Sequence, residues 1–161
     1  MFDNIYENKK VLITGHTGFK GSWLCAWLEK LGSDIMGYAL SPPTNPNHYE
    51  LLNLNVRSTI DNICDYKNLL ETFNEFKPEI VFHLAAQSSV LVSYNKTRET
   101  INTNVLGTLN VLEASRNTKS VRAVVIVTTD KCYENKEWVY PYRENDRLGG
   151  HDLYSASKAS A

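Results

Sequence analysis

The sequence predicts an α/β fold, a doubly wound parallel sheet, on three observations. Short apolar runs alternate with helical patterns along the chain, a glycine-rich turn joins the first run to the first helix, and the composition is globular. At roughly 150 residues per domain, the chain is one domain. A hydrophobic fraction of 42% with 22% charged residues excludes a disordered or collagen-like chain. Lys+Arg 17 against Asp+Glu 18 leave a net charge of -1, with no basic surplus to displace counterions from nucleic-acid phosphates. No apolar run approaches the ~18 residues of a membrane span, and the start MFDNIYENKK has no apolar signal core. Cys25, Cys64 and Cys132 are scattered, and His16, His48, His83 and His151 show no ligand spacing. The expectation is a cytoplasmic protein without a disulfide framework or a metal site.

The elements follow in order. Val11-Leu12-Ile13 reads as the first strand. From Phe19, apolar residues recur at Phe19, Trp23, Trp27 and Leu31, a helix face closed by Gly32 as C-cap. Ile35-Met36-Gly37-Tyr38 is a second strand, and residues 41–56, rich in proline and asparagine, make an irregular surface excursion. Asp65 caps a helix carrying Leu69, Phe73 and Phe76, which Pro78 stops. Residues 80–86 form a continuous apolar run of buried-strand type. A long helix spans about residues 98–117, with Ile101, Val105, Leu109 and Leu112 on one face. Residues 123–127 are the most β-branched run, and the chain is polar and turn-rich from there to Tyr154. Five candidate strands in all, joined by right-handed crossovers, give the first half of a doubly wound sheet plus two strands.

Between the first strand and first helix stands Thr14-Gly15-His16-Thr17-Gly18-Phe19-Lys20-Gly21. A glycine triplet also occurs in ordinary turns, but this position favours a dinucleotide fingerprint of Rossmann-like type. One glycine permits the turn, one lets backbone approach a pyrophosphate, and one allows close helix–strand packing. The acid expected about 20 residues on, at the end of the second strand, is missing. Asp34 lies at the wrong end, and the strand finishes in Tyr38-Ala39-Leu40-Ser41. The absence of a nearby arginine for a 2′-phosphate favours NAD over NADP.

Tyr154-Ser155-Ala156-Ser157-Lys158 puts a phenol and an ammonium at i and i+4, on one helix face that Asp152 caps. The cation and the helix N-terminus are expected to lower the phenol's pKa and make it a base. Thr128-Thr129-Asp130-Lys131 follows the strongest strand, at the carboxyl end where an open sheet carries its functional groups. The plainer alternatives are a solvated helix and a polar loop with Asp130 and Lys131 paired in water.

In these segments the sequence resembles the extended short-chain dehydrogenase/reductases. Within them it is most similar to the nucleotide-sugar 4,6-dehydratases of the CDP-glucose branch. VLITGHTGFKGSWL, GYALSPPTNPN, VFHLAAQSSV, TNVLGTLNVLEA, TTDKCYEN and YRENDRLGGHDLYSASKA carry the resemblance from residue 11 onward. The dTDP-glucose and GDP-mannose branches carry Glu at the Lys131 position.

The resemblance implies NAD as an internal hydride shuttle and CDP-glucose as substrate. It assigns Tyr154 as base toward the C4 hydroxyl, Thr129 as its hydrogen-bonding partner, and Lys158 to the nicotinamide ribose. Lys131 would take the C5 proton and Asp130 would protonate the departing C6 hydroxyl. Gly15, Gly18, Phe19 and Gly21 match the pyrophosphate loop, and Leu84, Ala85 and Ala86 the segment under the ribose. Asn62 and Ile63 stand where Asp-Ile usually touches adenine. Thr103 and Asn104 match the helix position behind the nicotinamide. Gly107 is expected to serve close packing, and Cys132 to be a small buried side chain.

Members of that family are much longer, and sugar-nucleotide contacts come largely from their carboxyl-terminal half. The expectation is an amino-terminal part, inactive alone, of a protein that is a homodimer at full length. The alternatives are a non-catalytic nucleotide-binding module, or a related dehydratase or epimerase acting on another sugar nucleotide.

Overall fold

A computed structural model describes residues 2–161. Five parallel strands form one sheet: β1 Lys10–Thr14, β2 Asp34–Ala39, β3 Arg57–Ile60, β4 Ile80–His83 and β5 Ala123–Ile126. Their order is β3-β2-β1-β4-β5. Both neighbours of β1 run parallel to it, with Leu12 opposite Met36 on one side and Val81 on the other. The chain turns outward to β2 and β3, then crosses back to β4 and β5, so the order reverses between β1 and β4. Ligands of open α/β sheets bind at the carboxyl ends of such a pair.

The helices are α1 Phe19–Lys30, α2 His48–Leu52, α3 Tyr66–Phe76, α4 Val90–Asn95, α5 Thr97–Ile101, α6 Gly107–Asn117 and α7 Leu153–Ser160. A π-helical turn, Asn102–Leu106, joins α5 to α6 without leaving right-handed geometry. Side chains in β1 alternate across the sheet. Leu12 enters a core with Tyr38, Leu69, Phe73, Val81 and Val111 under α3 and α6. Val11 and Ile13 enter a second core with Cys25, Leu28 and Ile35 under α1. Both faces of the central strand are buried, as a parallel sheet requires.

Several sequence expectations shift. The apolar run 80–86 is strand only to His83, because its last residues turn away at the sheet's carboxyl edge. The excursion 41–56 contains α2, which the Asn47 side chain caps by accepting the Glu50 N–H at 2.9 Å. Its His48 Nδ1 lies 2.6 Å from the Ser22 hydroxyl of α1, with the ring against those of Phe19 and Trp23. The stripe Phe19, Trp23 and Trp27 faces outward, 68%, 54% and 49% exposed. The buried side of α1 is Gly21, Ser22, Cys25 and Leu28, small enough to lie close on the sheet. Leu109 and Leu112 likewise face out, while Val111 and Ala114 of α6 pack inward. Asp65 and Asp152 cap α3 and α7 as read, accepting from Asn68 N and Ser155 N. Gly107 serves close packing, since a Cβ there would sit 2.5 Å from the Ile63 side chain. Cys132 is half-buried. No helix among the described residues is long and apolar enough to cross a membrane.

Candidate active site

A cleft of about 570 Å³ opens at the carboxyl ends of β1 and β4. The loop after β1 forms its floor. Gly15 has φ +75, and a Cβ there would lie 2.7 Å from the Ala85 nitrogen, so only glycine lets the two loops meet. A Cβ on Gly21 would fall 2.1 Å from the Gly15 carbonyl oxygen, so α1 could not start so close to the turn. α2, α3, α4 and α7 each begin with a side chain accepting a first-turn amide, from Asn47, Asp65, Ser89 and Asp152. At α1 the capping position is Gly18, which has no side chain to do so. The first amides and the positive end of the helix dipole are therefore left to an anion in the cleft.

Gly15, Gly18, Phe19, Gly21, Asn62, Ile63, Leu84, Ala85, Ala86, Thr103, Tyr154 and Lys158 all line this one cleft. Asn104 is buried behind it. Thr129, Asp130 and Lys131 are set differently. Thr129 lies outside the cleft lining, and its hydroxyl donates to Asp130 at 2.8 Å. Asp130 and Lys131 line a neighbouring polar recess of about 220 Å³ with Tyr133, Asn135, Tyr142 and Asp152. The two hollows share the segment that follows β5 and the first turn of α7.

Lys158 is 6% exposed, and its ammonium donates to the Val127 carbonyl at 3.0 Å. Burial pushes its pKa below the usual lysine range, with the Cys132 thiol opposing. The Tyr154 phenol shifts the other way from the sequence expectation. Its pKa is raised, first by burial and then by the negative charges of Asp130 and Asp152. The lysine that was to lower it is spent on a backbone carbonyl across 31 residues of chain, which helix spacing does not reveal.

The structure adds residues that spacing alone missed. Among the described residues lining the cleft, Asp61 is the one carboxylate; it stands at the end of β3, not of β2. Asn68 and the Asn62 amide hold that carboxylate and keep its pKa below the usual range. Thr17 ties the glycine loop to the Leu40 carbonyl at 2.8 Å, where β2 gives way to the excursion. The Gln87 backbone closes on both ends of the Asn104 side chain, donating to Oδ1 and accepting from Nδ2, and the Ser157 hydroxyl accepts from the same Nδ2. The signal for Gln87 was its place directly after Ala86; Ser157 gave none beyond its neighbours.

A family model described as GDP-mannose 4,6 dehydratase matches residues 12–161. The chain belongs to this family. It is 50% identical over 160 residues to the CDP-glucose 4,6-dehydratase of Salmonella typhimurium, covering 98% of this chain and 45% of that protein. Among solved structures it is similar to a UDP-glucose 4-epimerase with UDP-glucose from Thermotoga maritima, at TM-score 0.83 and 29% identity. That match covers 94% of this chain and 48% of the epimerase. It is equally similar, at TM-score 0.83 and 25% identity, to the Bordetella bronchiseptica enzyme WbmG in complex with NAD and UDP, covering 96% and 48%. The chain thus spans just under half the length of each of these three relatives.

Proposed function

We propose that this chain is the NAD-binding part of a nucleotide-sugar 4,6-dehydratase that converts CDP-glucose to CDP-4-keto-6-deoxyglucose. One observation carries the reading: the glycine loop, the β4 loop and the Tyr154–Lys158 helix face converge on one cleft, with Asp130 and Lys131 in the adjoining recess. The 50% identity to a CDP-glucose 4,6-dehydratase favours that sugar nucleotide over its relatives. The uncapped start of α1 and the glycine contacts at Gly15 and Gly21 fit a pyrophosphate, and the Bordetella relative is described with NAD.

Gly15, Gly18 and Gly21 would hold NAD by its pyrophosphate, and the bound cofactor would supply reversible hydride transfer between C4 and C6 of the sugar. The chain's own residues handle protons. Tyr154 takes the proton of the C4 hydroxyl, and Thr129 hydrogen-bonds the same oxygen. The phenol, biased toward its neutral form by burial and two carboxylates, needs added positive charge to ionise. The positive charge of an oxidised nicotinamide bound in the cleft would supply it. A C4 ketone acidifies the C5 proton, which Lys131 removes and gives back to C5 when C6 receives hydride. Asp130 protonates the departing C6 hydroxyl. We assign the rest of the sugar-nucleotide site to sequence outside these 161 residues.

The natural protein is a homodimer in this reading, through the outward face of the α5–α6 helix, where Leu106, Leu109 and Leu112 are exposed. Three free thiols fit a reducing cytoplasm, the compartment we assign. The test is turnover by the natural protein with CDP-glucose, dTDP-glucose and GDP-mannose, read by mass spectrometry as loss of water. Preference for CDP-glucose is expected; preference for either competitor overturns the assigned substrate.

A further inference from the structure

His83, the last residue of β4, is 3% exposed and hydrogen-bonded at both ring nitrogens. Its Nδ1 lies 2.7 Å from the Thr14 hydroxyl and its Nε2 lies 3.0 Å from the Thr108 hydroxyl. The two hydroxyls fix which nitrogen carries the proton. Thr108 donates to the Asn104 carbonyl at 2.7 Å, so its proton is committed and it can only accept from the ring. Thr14 Oγ1 already accepts the Leu84 and Ala85 amides, each at 3.2 Å, so its own proton is free for the ring. Both ends demand the same neutral tautomer, with hydrogen on Nε2 and a bare Nδ1.

The bonds around this ring reach the glycine loop, the β4 loop, the π-helical turn and the helix of Tyr154 and Lys158. Thr14 precedes Gly15, and the amides it receives belong to the β4 loop. Thr108 and Asn104 sit beside Thr103 on the π-helical turn. The Asn104 amide donates to the Gln87 carbonyl and to the Ser157 hydroxyl, at 3.0 and 2.9 Å. Ser157 in turn donates to the Tyr154 carbonyl at 2.7 Å. The network is buried and each hydroxyl proton in it is assigned, the condition under which such networks hold one geometry.

We infer that His83 is a positioning residue: as the Nε2–H tautomer it locks the glycine loop and β4 loop to the π-helical turn and, through Asn104 and Ser157, to the helix carrying Tyr154 and Lys158. Lys158 is the charged group that bears on the ring, and with burial it keeps the ring neutral. The binding consequence rests on NAD as the ligand; the tautomer does not.

Two measurements on the 161-residue chain separate these. Nitrogen-15 NMR of the labelled imidazole at neutral pH should show one protonated Nε2 and one unprotonated Nδ1. An Nδ1–H ring, an imidazolium or averaged tautomers would overturn the assignment whatever the ligand. In calorimetric titration with NAD, His83→Leu should bind at least about tenfold more weakly than the parent, since it strands two buried hydroxyls. His83→Gln, which offers one acceptor and one donor, should recover most of that loss. Parent-like binding by His83→Leu, or no recovery by His83→Gln, contradicts the positioning role. If His83→Leu does not fold, the ring spectrum decides. A parent chain that ignores NAD counts against the proposed function and leaves the tautomer test standing.

Discussion

Tyr154 and Lys158 share a helix face, and that much their spacing states. Their protonation was not legible, because it depends on groups brought in by the fold: Asp130 from the segment after β5, and the Val127 carbonyl that accepts a hydrogen bond from the lysine. The assigned chemistry needs the phenol's raised pKa to fall when positive charge enters the cleft. Titration of the tyrosine by NMR should show the phenol of the chain ionising above the ordinary tyrosine range, and lower once NAD is bound. A phenol that stays high with NAD bound is not the base. In the natural protein Tyr154→Phe should abolish turnover yet keep NAD affinity within about fivefold, because one hydrogen bond is worth about 1 kcal/mol net. Strongly weakened NAD binding would make Tyr154 a cofactor contact only.

At the scale of elements, sequence periodicity identified helix faces but not their direction. α1 has an aromatic stripe on one side and Gly21, Ser22, Cys25 and Leu28 on the other, and the small side is the one against the sheet. Apolarity favours burying the tryptophans; the close approach that the glycine loop imposes on the start of α1 overrides it. Trp27→Lys should therefore change stability by no more than about 0.5 kcal/mol, as an exposed site does. Cys25→Phe should destabilise by about 1–3 kcal/mol through overpacking. Denaturant melts of the two variants distinguish the faces, and the reverse order would contradict this packing. β3 was counted but not placed, since Arg57, Ser58 and Thr59 carry no apolar alternation at the sheet's edge. Caps were more legible, because an N-cap is a local bond. Asp152→Ala should cost α7 about 1 kcal/mol or somewhat more, since the carboxylate also accepts the Ser155 hydroxyl at 2.6 Å.

For the whole molecule, the strand order β3-β2-β1-β4-β5 puts the reversal between β1 and β4, and the cleft lies there. The glycine loop and the run ending at Ala86 marked both walls in the sequence. Asp61 stayed hidden because β3 delivers it from the far side of β2. The same fold buries two imidazoles. His16 and His83 each have a pKa lowered by burial from 6.5 to about 4. Between those values the unfolded chain binds protons that the native chain refuses, so stability falls as pH drops from 6.5 toward 4 and levels off below. Each group contributes roughly 1.4 kcal/mol per pH unit in that window. Melting temperature should thus decline steeply from pH 6.5 to 4.5, and less steeply in His83→Gln; a flat profile would mean the rings are solvated.

An internal hydride shuttle leaves an isotopic signature. The natural protein would be given CDP-glucose deuterated at C4, with NAD, in ordinary water, and the product's C6 methyl group read by NMR. One deuterium on C6 for each sugar converted is expected, with no net consumption of NAD. Product without deuterium at C6, or deuterium left in free reduced cofactor, would contradict it.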